Sequence, residues 1–251
     1  MDDIDKMHLS LLDDVAFILV VKAKGDVAAV TMKRMNYRVD FYYSKNGPCF
    51  GALDEYLNSI QRIIGDSVDY NAMHRDLMAV VMSTCLDKVR SRFMKCQKEI
   101  VDLDALAFFE TINPTIKIEA HELPDWDSLS DQAPILSFLC QIQSLDVDSG
   151  ALRQNLRTLM KLSQSAYLIG SVTHRHSHVE DLIQSQADRM VLEHKTLFRR
   201  IRKIGSYFAS VYRIVRLLRS RRYKYLRKHL FSRSWHSILF LSQAQNTDNN
   251  I

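Results

Sequence analysis

Six apolar residues, Ile201, Ile204, Phe208, Val211, Val215 and Leu218, recur at steps of 3, 4, 3, 4 and 3. An α-helix turns once in 3.6 residues, so this spacing puts all six on one side of a helix. A stripe of that length has to be buried against something. The same stretch is strongly basic. From Lys195 to Arg233 there are 14 Lys or Arg and no Asp or Glu. Residues 1–194 carry 20 bases against 28 acids, and Asp248 is the only charge after Arg233. The formal net charge of +5 therefore hides a −8 body and a +14 arm.

The rest of the chain points the same way. Only 7 Gly and 4 Pro occur in 251 residues, too few for a turn-rich all-β fold, which draws its turn dihedrals from them. Helical periodicity is read over 7–24, 53–64, 70 to about 100, 103–112, 135–145, 152–169, 179–192 and 195–230, with a break expected near Gly205-Ser206. Two runs differ. Val27 to Lys33 is rich in β-branched residues. In Tyr37 to Tyr43, Tyr37, Val39, Phe41 and Tyr43 alternate with Arg38 and Asp40, the period of a half-buried strand. Met35-Asn36 lies between them, so a hairpin is expected, closed by Asn46-Gly47-Pro48.

The fold class is therefore mainly α: an irregular helical bundle with one small N-terminal β-hairpin. One mostly helical domain is expected over 1–233. The acidic stretch 113–134 holds three of the four prolines and reads as a loop or sub-domain boundary. Residues 234–251 read as a tail with a frayed, polar end. The longest apolar run, Val15 to Val21, is far short of the roughly 20 residues a membrane span needs. The acidic start, Met-Asp-Asp-Ile-Asp, does not suit a secretory signal. Cys49, Cys85, Cys96 and Cys140 are widely spaced, so an intracellular chain, cytoplasmic or nuclear, is expected.

Motifs for chemistry are sparse. His174, His176 and His178 precede Glu180 and Asp181. On a strand all three imidazoles would share a face, and on a helix only His174 and His178 would, one turn apart. Either geometry suits two ligands of a zinc ion, with Glu180 or His194 as a third. The other reading is a His-rich surface turn, and an incomplete ligand set favours it. His178-Val179-Glu180 has the His-x-Glu of zinc deaminases, but no Cys follows Cys140 to supply the partner Cys pair. Cys49, near Lys45, is a candidate exposed thiol. Cys85 and Cys96 are about three helical turns apart and read as structural thiols on one buried face. No Gly-x-Ser-x-Gly, Gly-x-Gly-x-x-Gly or Walker loop occurs. No catalytic residue, metal ligand or cofactor is assigned, and the chain is not expected to be an active enzyme.

The basic arm carries the functional expectation. Its stripe suits packing on the domain, with its bases facing the acidic body. Its bases also suit phosphates or an anionic membrane surface. Beyond the stripe, Arg219, Arg221, Arg222, Tyr223, Lys224, Tyr225, Arg227 and Lys228 interleave cations with tyrosines. Such a cluster neutralises phosphates and stacks on bases, so RNA, single-stranded DNA or an acidic protein surface are the partners it suits. A second base cluster, Lys88, Arg92 and Lys95, shares one face of the middle helix and reads as a solvated face.

The order of elements resembles a fungal family of nucleic acid/nucleotide deaminase-like proteins. The likeness lies in the opening helix, Asp26-Val-Ala-Ala-Val-Thr-Met32 and Val39-Asp-Phe-Tyr-Tyr-Ser-Lys-Asn46. It continues in two segments similar to the family's helical insert: Lys88 to Lys95, and Ile201-Arg-Lys-Ile-Gly-Ser-Tyr-Phe208 onward to about Leu230. The family's catalytic His-Ala-Glu and Cys pair follow such an insert. Here His178-Val-Glu180 precedes the Ile201 segment, so no catalytic residue is carried over. The resemblance implies a truncated, catalytically silent, deaminase-like interaction module. The alternative is a nucleic-acid-binding protein that uses 195–233.

Overall fold

The structure, a computed structural model, describes residues 3–22, 27–34, 39–45, 50–112, 115–117, 132–175, 188–220 and 235–237. In chain order these form α1 (Asp3–Leu19), β1 (Ala28–Arg34), β2 (Val39–Lys45), α2 (Phe50–Asp66), α3 (Tyr70–Thr84), α4 (Leu86–Asp102) and α5 (Ala105–Ile112). Then come β3 (Thr115–Lys117), β4 (Gln132–Pro134), α6 (Ile135–Gln143), α7 (Ser149–Gln154), α8 (Leu156–Arg175), α9 (Asp188–Arg219) and β5 (Trp235–Ser237). The fold is mainly α, with the expected hairpin near the N-terminus.

The stripe organises the bundle. All six of its residues are buried, and Leu197, Tyr207, Ile214 and Leu217 of α9 are buried with them. That burial is wider than one stripe because α9 is the central helix: it packs on α8 most extensively, and also on α1, α3 and α4. Full burial of a side chain such as Phe208 contributes about 1.5–3 kcal/mol. The bases expected to avoid the stripe, Arg202, Lys203, Arg213, Arg216 and Arg219, are exposed.

α9 runs unbroken through Gly205, contrary to the expected break. A Cβ on Gly205 would lie 2.6 Å from the Tyr167 backbone nitrogen and 2.8 Å from the Ala166 carbonyl carbon. The glycine is there because the backbones of α8 and α9 touch at that point. The Ser163 hydroxyl sits in the same crossing. It donates to the Ile204 carbonyl at 2.9 Å and accepts from the Phe208 N–H at 3.3 Å.

Other boundaries also moved, for tertiary reasons. α1 stops at Leu19 rather than running to Lys24. Its terminal carbonyls are taken by side chains from other helices: Tyr56 Oη donates to Ile18 O at 3.1 Å and Lys88 Nζ to Val20 O at 3.2 Å. Cys85 Sγ lies 3.6 Å from the first carbonyl and 3.7 Å from the second. Helix ends leave such carbonyls unsatisfied, and a cation there also suits the helix dipole. The long middle helix is two helices, divided at Cys85 (φ −89°, ψ 18°), the residue that turns its thiol to the end of α1. Asp69 starts α3, accepting from the N–H groups of Asn71 and Ala72, a cap worth about 1 kcal/mol. The helix read over 152–169 is likewise divided, at Asn155.

β1 and β2 pair antiparallel from Ala28↔Lys45 to Arg34↔Val39. Phe41 and Tyr43 are buried as the alternation requires. Asp40, on the opposite face, is buried too and sits across from Lys33. β5 adds to β2 in parallel, Phe41 opposite Trp235, so β2 is the central strand and part of the stretch read as tail returns to the N-terminal sheet. Within the stretch read as a loop, β3 and β4 pair antiparallel, Thr115 opposite Pro134.

Candidate cationic cleft between α4 and α9

The 3–4 spacing that puts Lys88, Arg92 and Lys95 on one face of α4 also puts Arg200 and Lys203 together on α9. Because α4 packs on α9, the two basic faces meet. They line a cleft of about 170 Å³ whose walls are Lys88, Ser91, Arg92, Lys95, Arg200 and Lys203. Five of these six side chains are cationic and none is an acid. The solvated-face reading of Lys88, Arg92 and Lys95 is therefore corrected: the face looks across at a second row of bases.

The cations differ in how firmly they are held. Arg92 is a structural part of the wall. Its guanidinium stands 4.7 Å from the Tyr207 ring centroid and 5.0 Å from that of Phe17, and it donates to the Lys203 carbonyl. Such cation–π stacking fixes a planar guanidinium well. Burial lowers its pKa from the ordinary arginine value. Lys88 lies 4.9 Å from the Phe17 centroid while it caps α1. Arg200 reaches Glu99 at 3.3 Å, with both side chains about three-quarters covered. Lys95 and Lys203 are exposed, and neither they nor the Ser91 hydroxyl has a hydrogen-bond or ion-pair partner among the described residues.

The potential in the cleft is felt at Lys203. Desolvation first, then the charges of Arg199, Arg200, Arg92 and Lys95, hold its ammonium below the usual lysine pKa. Like charges held this close are costly, and an anion between them would relieve the repulsion. The arrangement can bind an anion. The thiol of Cys96 on α4 is buried, and burial raises its pKa to about 12.

Elsewhere α9 shows the blander fate of a basic helix. Arg213 makes a two-pronged ion pair with Asp14 of α1, Nε to Oδ2 at 2.7 Å and Nη2 to Oδ1. The hydrogen bond to Asp14 raises the Arg213 pKa. Arg219, the one residue of the expected binding cluster within the description, is exposed, with its guanidinium 5.9 Å from the Tyr70 ring centroid. Arg221, Arg222, Tyr223, Lys224, Tyr225, Arg227 and Lys228 lie outside the described residues, as do Cys49, His176, His178 and Glu180. His174 falls in the last turn of α8. Among the described residues no group of three or more His, Cys, Asp or Glu is placed to hold a metal ion. No described helix is long and apolar enough to cross a membrane.

Arg200 was missed by the sequence reading. The available signal was its spacing of three from Lys203, the same as that from Arg92 to Lys95. No family model, no curated protein and no solved structure matches the chain.

Proposed function

We propose that the chain is a catalytically silent helical interaction module that binds nucleic acid through its basic face. The face runs from α4 across α9, and the cluster from Arg221 to Lys228 follows α9 in the sequence. The observation that carries this reading is the cleft: five cations from two helices converge, with no acid on its walls. Bases used only for the fold are answered by acids, as Arg213 is by Asp14 and Arg200 by Glu99, whereas Lys95 and Lys203 have no ion-pair partner among the described residues. Phosphates supply the missing negative charge, and binding them releases counterions. The deaminase-like part of the reading rests on the order α1, β1–β2, then helices, which follows the resemblance.

A mobility-shift titration of the full chain with RNA and single-stranded DNA tests the proposal. Binding is expected at about 50 mM salt and should fall steeply toward about 200 mM, as phosphate contacts do. Arg221→Glu with Arg222→Glu, and separately Lys95→Glu with Lys203→Glu, should each weaken it. Absence of binding at low salt, or binding indifferent to both double variants, overturns the reading. Stoichiometric zinc in the natively purified protein would overturn the silent part.

A further inference from the structure

We infer that the cleft between α4 and α9 is a pocket for a terminal phosphate, the dianionic phosphomonoester at the end of a nucleic-acid strand, rather than another contact along the strand. The ligand class rests on the nucleic-acid reading above; the phosphate group itself rests on the cleft. Three observations lead there. First, the charge is concentrated. Five cations face a space of about 170 Å³, and the carboxylate of Glu99 meets one of them, Arg200. A diester in a strand brings one negative charge, whereas a phosphomonoester brings about −1.5 to −2 at neutral pH and three acceptor oxygens. The dianion matches the cleft better.

Second, the donors are divided between a fixed wall and uncommitted groups. Arg92 is locked between Phe17 and Tyr207 and bonded to the Lys203 carbonyl. That contact ties the α4 wall to the α9 wall at the residue whose side chain completes the cleft. Lys95, Lys203 and the Ser91 hydroxyl make no competing hydrogen bond or ion pair among the described residues. A hydroxyl and two ammonium groups in front of a guanidinium are the donors that phosphate oxygens take. Third, the like charges act on one another: desolvation first, and then Arg199, Arg200, Arg92 and Lys95, lower the pKa of Lys203. A cluster that repels itself is stabilised most by the ligand carrying the most negative charge in the least space.

Fluorescence anisotropy with one labelled single-stranded RNA, made with a 5′-phosphate, a 3′-phosphate or hydroxyls at both ends, decides it. Inorganic phosphate is the competitor, and the full chain is used throughout. One phosphorylated form should bind about tenfold tighter than the unmodified strand. Inorganic phosphate should erase the difference. In Lys95→Gln with Lys203→Gln the ratio of the two affinities should fall to about one. Arg92 is left intact, since its loss would disturb the packing around Phe17 and Tyr207. Both residues changed are exposed, and circular dichroism checks that the variant is folded. Equal binding of all three strands overturns the inference while the nucleic-acid reading stands. If no strand binds but phosphate raises the melting temperature of the wild type and not of the double variant, the phosphate pocket stands and the nucleic-acid reading falls. If neither strands nor phosphate has an effect, both are overturned.

Discussion

At Arg213, α9 presents a guanidinium to the buried carboxylate of Asp14. About three turns earlier, at Lys203, it presents an ammonium to Arg92, Lys95, Arg199 and Arg200. One helix and one residue class thus meet opposite surroundings. Near Arg213 the arm's charge is spent on the arm's own fold, which is the common fate of a basic amphipathic helix. Near Lys203 the charge is left standing and even opposed. The difference shows why a net charge says little about function until each base is matched with what faces it.

The two halves should separate most clearly in acid. His74 of α3 is buried against Phe208 at 4.9 Å and Tyr212 at 6.1 Å between ring centroids, in the half of α9 beside Arg213. Burial lowers its pKa from 6.5 to about 3. Its folded pKa lies below its unfolded value, so its stabilising effect is whole above about pH 6.5 and is lost as pH falls toward 3. The cost is about 1.4 kcal/mol per pH unit in that window. Urea denaturation at pH 7 and pH 4.5 should differ by about 2–3 kcal/mol from this residue, on top of whatever the carboxylates add. His74→Leu should flatten the profile between those values. An equally steep profile in that variant would refute the assignment.

The crossing at Gly205 joins the halves. Gly205→Ala drives a methyl group into the Tyr167 backbone, which has no rotamer by which to yield. Even after the gain in helix propensity, a loss of about 2 kcal/mol is expected. Gly65→Ala is the control. Nothing lies within 4 Å of its added Cβ, so that variant should gain about 0.5–1 kcal/mol. If both glycines behave alike in thermal melts, the close approach of α8 and α9 is wrong. Asp14→Ala follows in size. It strands Arg213, but that side chain is half exposed and water takes part of the loss. About 1–2 kcal/mol is expected, well below the cost of breaking a fully buried pair.

The helical class was legible because Ile201 to Leu218 keep their period in the chain itself. So was the hairpin, because Phe41 and Tyr43 alternate with polar neighbours. What escaped was set by contacts distant in sequence. Nothing local announces that Cys85 turns its thiol to α1, or that Gly205 is a packing notch rather than a hinge. The two rows of bases were each visible as helical faces. Their meeting was not, since Arg92 and Lys203 stand 111 positions apart when they bond. Pairing strands across such distances is equally silent: Trp235 opposite Phe41 has no signal in either segment.

The smallest effect is the most telling because its sign is reversed. Lys203→Gln removes a charge that like charges oppose. Arg199 lies one turn away at i,i+4, and a like-charged pair at that spacing destabilises a helix by about 0.2–0.5 kcal/mol. The variant should therefore be more stable than the wild type by about 0.3 kcal/mol at low salt. The gain should shrink as salt screens the cluster, because Lys203 is exposed. Arg213→Gln, read by the same melts, should lose stability instead. A residue retained at a cost to the fold is the pattern expected of a binding group rather than a structural one. If Lys203→Gln proves destabilising, an acid must answer Lys203. The contrast between the two halves of α9 then disappears, and the unrelieved charge on which the phosphate pocket was argued goes with it.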